Sequence, residues 1–332
     1  MTVSKLSSKR SIWMAVGILM VVIFHTDLLF EKQILNDIKL FFEGGVDVLL
    51  FASGMGCYCS FHKNKNVVEF LKRRLIRIMP VFWGFMLFLC WRSFLSLNFV
   101  HLAEYFLGNG YNWFITAIWI LYLLVPVFYA FIDNSQKPLG KVLFVLTVML
   151  VTCGFWDKYA IMVILARIPV FVVGMIFGKM CVSEESKDKK IPIWAYIVIY
   201  LALIVGFVWW KMYNVLETDV MHNIALKWWP FMLSSPGVCL TCSLVATAFD
   251  RFSIGRFINI VFSKIGSITF EMFLIHMYML RYRSQWAVLG ERKKWIPWLI
   301  EVLIICFAIS FADKAIKKLI KKIGKGKNKE IA

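Results

Sequence analysis

Ten apolar runs, at 12–30, 39–60, 79–97, 112–133, 142–156, 162–180, 192–212, 227–248, 265–281 and 295–313, constrain this chain more than any other feature. A helix rises 1.5 Å per residue, so about 20 apolar residues cross the hydrocarbon of a bilayer, and most of the runs approach that length. Hydrophobic residues occupy 60% of the 332 positions, more than a water-soluble core buries. The predicted fold class is all-α: a polytopic membrane protein with about ten transmembrane helices in one bundle. The second run carries Gly44, Gly45, Ser53, Gly54 and Gly56, small residues that let helices approach closely. No small-residue cleavage site follows the first run, which reads as a retained helix.

Ten spans put both termini on one side, and the charge pattern indicates which. With the N-terminus inside, the inner segments hold most of the 38 Lys and Arg, among them Arg10, Lys72, Arg73, Arg74, Arg77, Arg251 and Arg256. The positive-inside rule then places the termini in the cytoplasm of a bacterial-type cell membrane. One outer loop, with Arg281, Arg283, Arg292, Lys293 and Lys294, runs against that pattern. The net charge of +18 therefore reports topology, and no basic face with base-reading elements suggests nucleic acid. Two regions follow: a transmembrane domain over 1–313 and a basic amphipathic cytoplasmic tail over 314–332. The tail pairs its lysines with Ile316, Leu319, Ile320 and Ile323 at helical spacing, which suits an anionic inner leaflet.

The eight cysteines lie mostly in apolar runs, and Cys239-Leu-Thr-Cys242 has no second ligand pair, so no metal is assigned. The last five spans do not repeat the first five, which disfavours an inverted-repeat transporter.

Five polar features need an explanation. His25, in VVIFHTDLLF, lies roughly 20 Å along the first span, where an imidazole usually faces a cavity or a partner helix. Asp27, two residues on, points to another face. Asp47, in GGVDVLLFASG, is an acid at the membrane margin that needs water or a cation. Arg74 and Arg77 are three apart and share a helix face, as either a phosphate clamp or ordinary basic flanking sequence. Arg167, in RIPVFVVG, must pair, bind a ligand or reach the outer interface, because a guanidinium does not lose its charge. His276 is the fifth; Glu271, five residues earlier, lies about 140° away around the helix. His62, His101 and His222 fall in expected loops and receive no role.

In chain order, His25 at the end of the first span, GVDVLLFASG, RRLIRIMP, WFITAIWILYLLVP, RIPVFVVG and ITFEMFLIH resemble acyltransferase family 3, multi-span enzymes that commonly acylate sugar hydroxyls. The resemblance covers about residues 10–280. It implies an O-acyltransferase that takes an acyl group, most often acetyl, from cytoplasmic acyl-CoA, as co-substrate and not as a bound cofactor. The acceptor it implies is a hydroxyl of a cell-surface or lipid-linked glycan. His25 matches the family's essential histidine, as a general base or as the carrier of an acyl intermediate, and Arg74 with Arg77 matches its donor-binding RxxR pair. Asp47, Arg167, His276, Trp113 and Tyr122 are read as supporting polar or substrate-facing residues. The chain departs from the pattern twice. Met14 stands where a basic residue usually precedes the histidine, with Arg10 one turn earlier, and Ile118 and Trp119 replace the glutamate of many members' fourth-span motif. The expected partners are acyl-CoA, the saccharide acceptor and membrane lipids, with homo-oligomerisation left open. A transporter or sensor on the same scaffold, without acyl transfer, is the alternative, and a non-catalytic subunit of a polysaccharide assembly a third.

Overall fold

The computed structural model describes residues 1–26, 30–95, 113–134, 159–215, 224–280 and 295–330, with a few further positions between 140 and 151. Among them the chain is helical, and an isolated bridge between Thr2 and Lys190 is the one extended pairing. In order come α1 (Val3–Ser7), α2 (Arg10–Phe24), α3 (Gln33–Phe41), a 3-10 turn (Phe42–Gly44) and α4 (Gly45–Lys63). They are followed by α5 (Val67–Leu95), α6 (Trp113–Asn134), α7 (Tyr159–Leu165), α8 (Ile168–Val182), α9 (Ile193–Val215) and α10 (Ile224–Phe249). The last three are α11 (Ser253–Ser267), α12 (Thr269–Leu280) and α13 (Trp295–Glu330).

Six helices among the described residues are long and apolar enough to cross a membrane, or seven if the α11–α12 pair, bent by 64°, counts as one. The chain is a multi-pass membrane protein. The expected count of ten is not confirmed among the described residues. The predicted fifth span lies mainly outside the described residues, and the third falls in the second half of α5, whose first turns are charged. The first predicted span also ends early: α2 stops at Phe24, not near residue 30. There Thr26 Oγ1 donates to the Ile23 carbonyl at 2.7 Å and His25 Nδ1 meets the Val21 carbonyl at 2.8 Å, so side chains satisfy the last-turn carbonyls that the helix leaves open. The tail helix is continuous with the last span through Glu330.

Helix crossings at glycine hold the bundle. A Cβ on Gly54 would lie 2.1 Å from the Phe171 carbonyl oxygen, and one on Gly174 would lie 2.2 Å from that of Phe51. The backbones of α4 and α8 therefore touch, as small residues permit where lipid offers no hydrophobic driving force between helices. In the same way Gly45 packs onto the Gly17 carbonyl and seats α4 against α2. Trp13, Ile18, Leu50, Phe82, Phe171 and Phe231 are fully buried in the resulting core.

The helix ends that the charge pattern assigns to the inner side meet one another. Met1 reaches Tyr196, Ser4 bonds to the Lys187 carbonyl, Lys9 pairs with Asp250 at 2.5 Å, and Tyr58 bonds Asp133 at 2.9 Å. Asp37 with Lys211 and Glu43 with Lys227 and Trp228 occupy the opposite end. Helix α11 lies across the first turn of α2. Its Asn259 joins Asp250, the partner of Lys9, while Ser263 and Gly266 both meet Ser11.

Candidate active site

Three clusters of polar side chains lie within the bundle. The first is a histidine pair. The His25 and His276 rings approach to 5.2 Å between centroids, bringing the end of α2 against α12. His276 is buried, and its Nδ1 lies 3.0 Å from the Met272 carbonyl. A carbonyl oxygen only accepts, so each Nδ1 carries the hydrogen and each Nε2 presents a lone pair. Among the described residues no protein group bonds His276 Nε2, a buried acceptor left open beside His25. Asp27, expected on another face from His25, lies outside the described residues.

The second cluster is a buried ion pair. Arg167 bonds Asp47, with only 2% and 1% of the two side chains exposed. Pro169 explains where the arginine stands: its missing N–H breaks the helix between α7 and α8, and Arg167 sits in the break as the N-cap of α8. Asp47 occupies the first turn of α4, where the helix dipole favours an anion. Of the three fates open to Arg167, the structure selects pairing, and the cation Asp47 required is this one. Its guanidinium lies 4.9 Å from the ring of Trp228, 5.8 Å from Phe231 and 6.0 Å from Trp113. These rings form a cation–π cage that offsets part of the lost hydration.

The third is a cavity of about 290 Å³ near the helix ends that the charge pattern assigns to the inner side. Arg10, Arg74, Arg77 and Lys314 line it, opposite Glu271 and Asp313, with Ser53, Tyr122, Ser267, Thr269 and Ser310. Arg10 Nε donates to the Ala52 carbonyl at 2.9 Å, and Arg74 Nη2 to the Gly56 carbonyl at 3.3 Å. Arg74 also lies 5.1 Å over Phe70 and 5.4 Å over Tyr122, and its buried Nε has no bonding partner among the described residues. The result is a group of guanidiniums with spare donors on a partly apolar wall, suited to a phosphorylated ligand with an organic arm. Met14 faces the same cavity from one turn above Arg10. A larger groove of about 650 Å³ between α8, α9 and α10 is lined mainly by Val, Ile and Met and presents few polar groups.

The structure thus joins His25 to His276, Asp47 to Arg167 and Trp113, and Arg74 and Arg77 to Tyr122. It does not bring His25 into the arginine cavity, whose upper wall is Leu49, Phe114, Ile118 and Phe273. Glu271 faces that cavity while His276 faces His25, as their separation around one helix requires. The sequence reading assigned no role to Glu43, Glu271, Trp228 or Ser310; an acid next to Gly44 and a second acid in the α12 segment were the available signals. Among the described residues no three His, Cys, Asp or Glu side chains group as metal ligands.

Compared with known proteins, residues 15–313 match the family described as an acyltransferase domain, nearly the whole chain. No curated protein and no solved structure matches it. With a match of that extent, which takes in His25, His276, Asp47, Arg167, Arg74 and Arg77, the chain belongs to acyltransferase family 3.

Proposed function

We propose that this membrane acyltransferase moves an acetyl group from cytoplasmic acetyl-CoA to a hydroxyl of a cell-surface or lipid-linked glycan. The observation that carries the reading is the separation of two chemistries along one helix. Arg10 at the start of α2 lines a cavity suited to phosphates, while His25 at its end offers an open imidazole lone pair about 22 Å away.

In this reading Arg74, Arg77 and Arg10 hold the phosphates of the donor from the inner side, and the thioester arm points up the bundle toward His25. The acceptor arrives from the outer end. His25 Nε2 takes the hydroxyl proton as the oxygen attacks the thioester carbonyl. The carbon–sulfur bond breaks, the ester forms, and the departing thiolate takes the proton back from the imidazolium. The Val21 carbonyl fixes the His25 tautomer from behind, the service a carboxylate performs in other histidine bases. His276 Nε2 accepts a second hydrogen bond from the acceptor and orients it, and the Asp47–Arg167 pair holds the surrounding helices in place. The termini lie on the donor side, in the cytoplasm of a bacterial-type cell. Transfer of labelled acetyl from acetyl-CoA to envelope glycan by the purified protein tests the reading; solute flux without transfer would replace it with a transporter.

A further inference from the structure

The arginine cavity and the histidine pair are separated by two aromatic rings. Phe114, from the first turn of α6, and Phe273, from α12, stand with centroids 4.1 Å apart and planes at 34°. Both rings face the cavity as part of its upper wall. On the far side Phe273 meets His276 at 5.7 Å, and His276 meets His25 at 5.2 Å. Phe114 is buried, and its neighbour Trp113 belongs to the cage around Arg167. An unbroken series of rings therefore runs from the polar cavity to the open imidazoles, with the phenylalanine pair as its first member.

We propose that Phe114 and Phe273 form a partition that keeps cavity water from the histidines and admits only a thioester arm carrying a short acyl group. The proposal rests on the acyl-transfer reading for its substrate. Its physical basis is that two packed phenyl rings present no good hydrogen-bonding group to water, yet each hangs on two torsions from a separate helix and can turn aside. Without the partition, water adds to the thioester carbonyl in place of the alcohol. The carbon–sulfur bond then breaks to give a free carboxylic acid and a thiol, and the acyl group is lost to hydrolysis. Size selection follows from the same geometry: a longer chain must hold the rings apart along its whole length.

The test uses full-length protein in proteoliposomes with Phe114→Ala, Phe273→Ala and the bulk-preserving Phe273→Leu. Thiol release from acetyl-, butyryl- and octanoyl-CoA is followed without acceptor, and transfer is followed with envelope glycan. Each alanine variant is expected to raise acceptor-independent thiol release about tenfold and to narrow the preference for acetyl, with Phe273→Leu close to wild type. A second readout needs no activity. His25→Cys is exposed to a small charged methanethiosulfonate on the face bearing Arg74 and Arg77, and modification at position 25 is located by mass spectrometry. Labelling is expected to be slow with the rings intact and faster in either alanine background. Unchanged labelling and unchanged hydrolysis in folded alanine variants would overturn the partition. Faster labelling, with neither transfer nor thiol release from any acyl-CoA in wild type or variants, would leave the partition standing and remove the acyl-transfer reading.

Discussion

Arg10 and Arg74 converge on Gly56: Arg74 Nη2 bonds the Gly56 carbonyl, and a Cβ at that glycine would lie 2.8 Å from Arg10 Nη2. The glycine is where two guanidiniums from α2 and α5 share one wall of the cavity. The contact Gly56→Ala disturbs is the far end of a flexible side chain, so the helix crossing itself is spared. The variant is expected to melt within a few degrees of wild type while donor binding weakens. Arg10→Ala, Arg74→Ala and Arg77→Ala should each remove a charge-assisted contact worth about 1.5–3 kcal/mol, or about 10–150-fold in donor affinity. Titration of acetyl-CoA against purified protein checks this, and unchanged affinity in all four variants would remove the clamp.

Gly174 supplies the opposite case. Its missing Cβ faces the Phe51 backbone oxygen at 2.2 Å, which has no rotamer to yield. Gly174→Ala must push α8 away from α4, and overpacking of this kind costs about 1–3 kcal/mol. A clear fall in the melting temperature in detergent, larger than for Gly56→Ala, is the expected result.

The Asp47–Arg167 pair should behave as a buried ion pair does. Removing either charge alone, by Asp47→Leu or Arg167→Met, strands its partner and is expected to cost about 3–5 kcal/mol. The double variant leaves no orphan charge and should recover much of that loss. Melting curves of the two single variants and the double variant form the cycle that decides this. Equal losses in all three would show that the pair's worth lies elsewhere than in mutual neutralisation.

Lys9, just before α2, holds Asp250, and that hydrogen bond, with help from Asn259, keeps the Asp250 carboxyl below its ordinary value of 3.8. A carboxyl depressed in the folded state binds protons more readily when unfolded. Its stabilisation is complete above the ordinary value and fades as pH falls through the folded one. The gap in melting temperature between wild type and Asp250→Asn should therefore be constant near neutrality and close in acid. A gap that widened below pH 3.8 would contradict the assignment.

Much of this site could be read from individual residues, and little of its assembly. Elementary electrostatics left Arg167 to pair, bind a ligand or reach the interface and Asp47 to find water or a cation, yet nothing in the spacing told that they were partners of each other; that depends on the Pro169 break and the α4–α8 crossing. His25 and His276 stood out as imidazoles in apolar runs, but their contact requires α12 to lean on α2 after the bend that follows α11. Arg10 was visible as a basic residue one turn before Met14. That its guanidinium lines the cavity with Arg74 depends on Gly56, two helices on in the chain. The early end of the first span has a related reason: hydropathy marks apolar length, and it does not show that side chains at His25 and Thr26 cap α2 early.

The central claim is that His25 accepts the proton of an acceptor alcohol. Mass spectra of envelope glycans from cells expressing wild type or His25→Ala, with equal amounts of folded protein in the membrane, test it most directly. Wild type should add one acetyl unit to the glycan and the variant none. Glycans carrying the same acetyl unit in the His25→Ala cells would contradict it.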